Sequence, residues 1–402
     1  MAGILEGVRV VELAEALAGP YAAMLLGDLG ADVIKVERPG TGDQSRGWAP
    51  PYAGSESAYF LATNRNKRSI ALNYDDPLGN DILHRIISSA DVFLCNQPSL
   101  DSLRRRALDP SSLRGLHPRL IYCSITGYGF TGPKAGRRGY DIQAQAEAGV
   151  MSFTGEPDSP PMRFPIAIAD MTTGMYATMG ILGALYAREK SGCGDFLDMA
   201  LFDCQLTWLA NVGSAYLNAG TDPRRWGNAH PSIVPYQLFL GSDARHFVVG
   251  VGTPLQWKRL LEVLGLSAEL GADPRFSSNT LRIQNRDALI PLLQSRFATR
   301  LAADWIELLH QADVPASAVQ TVGEAVTDPQ ALARGLIVEI QHPSLGAARS
   351  LANPIRYADH PPLYRLPPPR LGEHSSQILQ ELGLAPAEIA KALCTSCTLS
   401  QG

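Results

Sequence analysis

The sequence predicts an α/β protein, with a Rossmann-like large domain built on a parallel sheet plus a smaller α/β domain. Three observations carry that expectation. Short apolar runs alternate with amphipathic stretches through residues 1–130, the spacing of strands joined by crossover helices. Strand and helix patterns resume after a passage rich in Gly, Pro and Arg, Ala219 to Pro235, which reads as a boundary. The chain of 402 residues also exceeds the roughly 250–300 at which one core stops growing.

In chain order, Val8 to Leu13 reads as a buried strand, Tyr21 to Leu29 as a helix and Asp32 to Glu37 as a second strand. Pro77 to Ser89 reads as a helix, and Asp91 to Cys95 and Arg119 to Ser124 as strands. Met171 to Lys190 is a long helical pattern carrying Gly174, Gly180 and Gly183. Each glycine weakens a helix by about 1 kcal/mol relative to alanine, so a neighbouring backbone is expected close by. Leu201 to Leu217 reads as one more helix. Beyond the boundary come a strand, His246 to Gly252, and helices over Pro254 to Leu264, Arg286 to Phe297 and Ala302 to Gln311. From Gly335 the chain is proline-rich and ends in a helix, Ser375 to Leu382.

Composition narrows the function. The net charge of −4 is too small, and of the wrong sign, for a chain held on nucleic acid. Cys95, Cys123 and Cys204 close apolar runs and read as small hydrophobes in a reduced, cytoplasmic protein. Cys394 and Cys397 form a C-x-x-C pair without a second pair, read as part of a loose polar tail. The first seven residues lack the pattern of a signal peptide, and the most apolar stretch, Met175 to Tyr186, is too short to cross a membrane. The eight histidines are dispersed, so no metal site is expected. The link after the first strand, Ala14 to Pro20, holds no G-x-G-x-x-G.

Two segments carry chemistry. Gly127 to Pro133, followed by Arg137-Arg138-Gly139-Tyr140-Asp141, is a glycine-rich loop after a strand, where α/β proteins bind ligands; an ordinary turn is the plain alternative. Asp170 ends an apolar run and opens a helix. As a helix cap it would be structural. Backbone N–H groups and the positive helix end would also keep it ionised, as a nucleophile requires.

Together these segments resemble the class III CoA-transferases, the family of formyl-CoA transferase and the carnitine CoA-transferase. The similarity runs in order through nearly the whole chain: Leu5 to Pro20, Gly30 to Gly40, Asn64 to Ile70, Gly139-Tyr140-Asp141, Asp170 with its glycine-bearing helix, and Leu371-Gly372-Glu373-His374. Arg225 to His230, Ser232 to Gln237 and Ile121 to Gly129 look most like the succinate–hydroxymethylglutarate branch and bacterial succinyl-CoA:dicarboxylate transferases of the itaconate type. The resemblance implies a large CoA-binding domain from residues 1–220 with 330–402, a small one from 221–329, and two subunits interlocked as rings. It implies Asp170 as the nucleophile, and Arg38, Leu72, Asn96, Arg104, Arg138 and Tyr140 as CoA-site residues. Acyl-CoA and a small carboxylic acid would be the partners, with CoA passing through as substrate and no cofactor held permanently.

Departures sharpen the expectation. Leu17 stands where formyl-CoA transferase carries a glutamine, which argues against formate or oxalate. The glycine run of that enzyme is absent; Gly227 to Pro231 occupies the region, with His230 and Tyr236 as candidate acid contacts. An α-methylacyl-CoA racemase is the nearest alternative, but those enzymes carry a histidine base where Tyr140 stands, and an unperturbed tyrosine, with a pKa of roughly 10, is a poor base. A non-catalytic CoA-binding protein would dispense with Asp170. Oxyanion donors are expected from the Gly127–Gly132 loop or from the helix start at Met171.

Overall fold

A computed structural model describes residues 3–397. It divides into two compact units: Met1–Val150 with Arg163–Ser214 and Pro329–Gly402, and Met151–Met162 with Ala215–Asp328. The smaller unit thus draws on 151–162 as well as the central stretch.

The larger unit is built on β1 (Arg9–Leu13), α1 (Ala18–Asp28), β2 (Asp32–Glu37), α2 (Ala58–Thr63), β3 (Lys67–Ala71), α3 (Pro77–Ser88), β4 (Val92–Cys95), α4 (Leu100–Arg105), β5 (Ile121–Thr126), α5 (Asp141–Glu147), α6 (Ile168–Ser191), β6 (Phe196–Ala200) and α7 (Leu201–Thr207). The six strands lie in the order β3-β2-β1-β4-β5-β6, every pair parallel. Alternate residues face opposite layers: Val11 and Ile34 enter one apolar cluster, Val10 and Val33 the other. Both faces are therefore covered, as a parallel sheet requires. The strand order reverses between β1 and β4, so their carboxyl ends diverge and open a crevice.

The long glycine-bearing helix is α6. At Gly174 an added Cβ would lie 2.8 Å from the Ala18 carbonyl oxygen, and at Gly180 2.4 Å from the Leu197 side chain. Those two glycines let α6 close onto α1 and β6. Gly183 has open space around it, so the expected close approach is absent there. The single helix expected over Leu201 to Leu217 is instead two, α7 and α8 (Ala210–Ala219), interrupted where Ala210 takes a φ of 41°.

In the smaller unit, β7 (Tyr236–Leu240), β8 (His246–Gly250) and β9 (Ala316–Ala318) form an antiparallel sheet with β8 central. Helices α9 (Pro254–Leu264), α10 (Arg286–Phe297) and α11 (Ala302–Gln311) pack their apolar faces with it around Phe247, Phe297 and Trp305.

The last part of the chain returns to the larger unit as a hairpin, β10 (Ile337–His342) with β11 (Gly346–Leu351), then α12 (Ser375–Glu381) and α13 (Pro386–Cys397). Helix α13 corrects the expectation of a loose tail: Ile389 and Ala392 enter the core, and Pro386 supplies a preset first turn. The Cys394 and Cys397 side chains lie outside the described residues. Among the described residues no helix is long and apolar enough to cross a membrane.

Candidate active site

The link from β1 to α1 lies at the strand-order reversal, and each of its first residues is held. Lys35 Nζ donates to the Ala14 carbonyl at 2.9 Å. Asn96, the first residue after β4, accepts from Glu15 N at 3.2 Å and donates to Glu15 O at 2.8 Å. Asp43 accepts from Ala16 N at 3.0 Å, in a residue whose φ is 71°. Fixing a residue at positive φ without glycine costs about 1 kcal/mol or more, which these bonds offset.

Under the link lies a buried charge cluster. Lys35 Nζ sits 2.9 Å from both Glu12 Oε1 and Asp43 Oδ2, and Lys67 Nζ 2.9 Å from Glu12 Oε2, with every side chain at 0% exposure. Burial opposes the charge on Asp43, but Lys35 and the hydrogen bonds it receives bring its carboxyl down to about 2. Burial lowers Lys67 to about 8 despite Glu12.

A cavity of about 570 Å³ opens at this crevice. Leu17 and Ala18 from the start of α1, Asn96 after β4, Gly127 after β5, and Arg138, Tyr140 and Asp170 all line it, as does Arg38, the residue after β2. Leu72 follows β3 on the same sheet edge, with its side chain 2% exposed in the core. Arg104, in surface helix α4, pairs with Asp101 at 3.3 Å. Neither is among the residues lining the cavity. Arg38 pairs with Asp75 at 2.8 Å and lies over the Tyr74 ring. His230 and Tyr236 belong to the smaller unit, where their rings meet edge-on at 5.4 Å. There His230 Nδ1 accepts from Ser232 N at 3.0 Å, which ties that imidazole to its own turn.

Asp170 is half-buried in the first turn of α6. It does not cap that helix, because the N-cap position is Ala167. Asp141 takes over the role from α5, accepting from Ala169 N at 2.8 Å and from Gln145 Nε2 at 2.7 Å. This corrects the expectation that the helix start keeps Asp170 ionised. Burial, reinforced by the neighbouring Asp141 carboxylate, pushes Asp170 up to about 7. Its carboxylate receives no hydrogen bond from the described residues. Tyr59, which lines the same cavity, is pushed up to about 12 by burial and by Asp170.

Both expected sources of oxyanion donors are partly spent. Gly129 N donates to Thr126 Oγ1 at 2.8 Å, Phe130 N to Asp198 Oδ2 at 2.9 Å, and Met171 N to the Ala167 carbonyl at 3.0 Å. The glycines have a packing reason instead: a Cβ on Gly127 would lie 2.8 Å from the Gly139 backbone. By contrast, α1 starts at the cavity with no side-chain cap and no acidic residue in its first turn. Sequence reasoning named Leu17 at this helix end for the acid, not the helix start as a source of N–H donors, and it missed Trp48, Tyr59 and Arg163 in the lining, which sit in no pattern that marks a site.

Comparison with known proteins agrees with this arrangement. The profile of CoA-transferase family III matches residues 5–375. A succinyl-CoA:glutarate CoA-transferase of Mus musculus is 41% identical over 392 residues, covering 97% of this chain and 89% of that one. A succinate–glutarate CoA-transferase of Agrobacterium fabrum is 41% identical over 384 residues, covering 94% and 95%. The crystal structure of a CaiB/BaiF family protein from Brucella suis superposes with a TM-score of 0.86 at 42% identity, covering 95% of this chain and 100% of that one. A six-stranded parallel sheet with its crevice at the β1–β4 reversal, and similarity through almost the whole length, place this chain in CoA-transferase family III: it is a class III CoA-transferase.

Proposed function

We propose that the protein moves CoA from succinyl-CoA to a dicarboxylic acid through covalent intermediates on Asp170. Glutarate is the leading acceptor, by the names of the relatives; itaconate, hydroxymethylglutarate and malate share its chemistry. The observation that carries the reading is a carboxyl group in the cavity, unbonded among the described residues and pushed up to about 7. Burial penalises the carboxylate but not its acylated form, which is neutral. The site thus favours the adduct over the free ion and raises the basicity of the attacking oxygen.

In the first step an Asp170 carboxylate oxygen attacks the donor thioester carbonyl, giving a mixed anhydride and CoA thiolate. The thiolate attacks the aspartyl carbonyl, releasing the donor acid and leaving an aspartyl-CoA thioester. The acceptor carboxylate attacks that thioester, regenerating thiolate and a new anhydride. The thiolate then takes the acceptor acyl group and frees Asp170. One thioester replaces another, so the overall free-energy change is small. The uncapped start of α1, where Ala18 and Gly19 precede Pro20, is our candidate source of N–H donors for the developing oxyanions.

CoA would run along the carboxyl edge of the sheet. Arg38, Arg104 and Arg138 suit its phosphates, with Asn96, Tyr140 and the backbone at Leu72 completing the contacts. The family resemblance leads us to propose an interlocked, cytoplasmic homodimer; Met179 and Tyr186, which expose 65% and 67% of their surface on α6, suit a face that a second copy covers. His230 and Tyr236 remain candidates for the acid side.

The test is incubation with succinyl-CoA and a panel of dicarboxylates, with product thioesters identified by mass. Borohydride or hydroxylamine present during turnover should modify the peptide containing Asp170. Asp170→Ala should lower transfer by about a thousandfold or more. Undiminished exchange in a folded variant would refute the mechanism.

A further inference from the structure

A second cavity, of about 680 Å³, adjoins the first and is walled by Tyr21, Met24, Leu25, Ile166 and Met171. Leu17, Tyr59, Arg163 and Ala167 line both cavities. A group attached to Asp170 therefore has an apolar recess next to it, with a guanidinium at the boundary. The other cation of the second cavity, Arg65, is committed: it pairs with Asp28 at 2.7 Å and donates to Ser350 Oγ and the Leu351 carbonyl. Arg163 has no ion-pair or hydrogen-bond partner for its side chain among the described residues.

The backbone beside Arg163 is fixed. Buried Gln145 accepts from Phe164 N at 2.7 Å and donates to the Phe164 carbonyl at 3.3 Å. The same amide donates to Asp141, which caps the helix bearing Asp170. One side chain thus fastens both the segment that carries Arg163 and the start of the helix that carries the nucleophile. An exposed, unpaired guanidinium on an anchored backbone, lining the cavity of an acyl-accepting carboxylate and the apolar recess beside it, matches a chain of methylenes ending in a second carboxylate.

We propose that Arg163 receives the distal carboxylate of the acyl group and selects dicarboxylic over monocarboxylic acids; this rests on the reading given above for the function. A monocarboxylic acid of the same length leaves Arg163 without a partner. A dicarboxylic acid forms a charge-assisted pair, present in both half-reactions because donor and acceptor occupy the same place in turn.

The test sets glutarate and pentanoate in competition for one pool of succinyl-CoA, and reads the ratio of glutaryl-CoA to pentanoyl-CoA by mass. Competing acceptors share the same aspartyl-CoA intermediate, so any effect on the donor half cancels. Arg163→Gln should lower the ratio by about ten- to a hundredfold, the worth of a hydrogen-bonded charge, and Arg163→Lys should recover part of it. A purely structural role would slow both products alike and leave the ratio within threefold of wild type, which would overturn the proposal. Should Arg163→Gln not fold, Arg163→Lys and Arg163→Met carry the same comparison. Wild-type enzyme that forms no dicarboxylyl thioester would instead refute the substrate reading itself, and the two failures are distinct.

Discussion

Replacing Asp170 by asparagine should abolish transfer and also stabilise the protein, in a way that depends on pH. The carboxyl is displaced from an ordinary 3.8 to about 7 by burial and by Asp141. A raised folded-state value means that the native state holds this proton more tightly than the unfolded chain does. The stability it confers is complete below about pH 4 and is lost as pH rises through about 7. At about 1.36 kcal/mol for each tenfold change, the penalty on wild type at alkaline pH has a ceiling of about 4 kcal/mol. Roughly a third of it is already incurred at pH 5. Water at the cavity mouth screens the rest, so the gap between variant and wild type should widen by about 1–3 kcal/mol between pH 5 and pH 8.5. Asparagine keeps the shape of the side chain and removes its charge, so packing differences cancel between the two pH values. The assay is denaturant unfolding of both proteins at several pH values without CoA. A gap that stays constant, or that widens toward acid, would refute the idea that the fold penalises this charge.

Further outcomes follow from the same geometry. With the carboxylate as nucleophile, kcat/KM for transfer should rise about tenfold per pH unit below pH 7 and level off above it, as a steady-state profile would read. Asn96→Ala removes two bonds to Glu15 across the strand reversal; it should cost about 1–3 kcal/mol of stability and weaken CoA binding severalfold by calorimetry. Lys35→Met leaves Glu12 and Asp43 facing each other in the interior. Loss of one partner of such a buried pair costs about 3–5 kcal/mol, measurable by chemical denaturation.

Much of the sheet was legible because its strands are the apolar runs that a doubly covered layer demands. The segment Asp32 to Glu37 matches β2 to the residue, and Pro254 to Leu264 matches α9. Strand β3 escaped because it reads Lys-Arg-Ser-Ile-Ala. It is buried through charge pairing, with Lys67 on Glu12 and Arg68 on Asp32 and Glu381, not through hydrophobicity. Those partners come from distant parts of the chain, so no local window shows them. At the site, the glycine loop and Asp170 stood out by pattern. The protonation bias of Asp170 did not, since it arises first from burial by the folded chain and then from the charge of Asp141, 29 positions earlier, which caps the helix. Tyr59 and Arg163 enter the lining through tertiary approach alone.

The edge of β3 is sealed by residues made far later: His374 N donates to the Ser69 carbonyl at 2.9 Å, Ser69 N to His374 Nδ1, and Ala71 N to Ser375 Oγ. About three hundred residues of synthesis separate the two sides. A nascent chain therefore emerges from the ribosome with an open strand edge, and must carry it unprotected until α12 arrives. Lys67 and Arg68 then serve a second purpose, because charged side chains on a bare edge discourage other chains from pairing there.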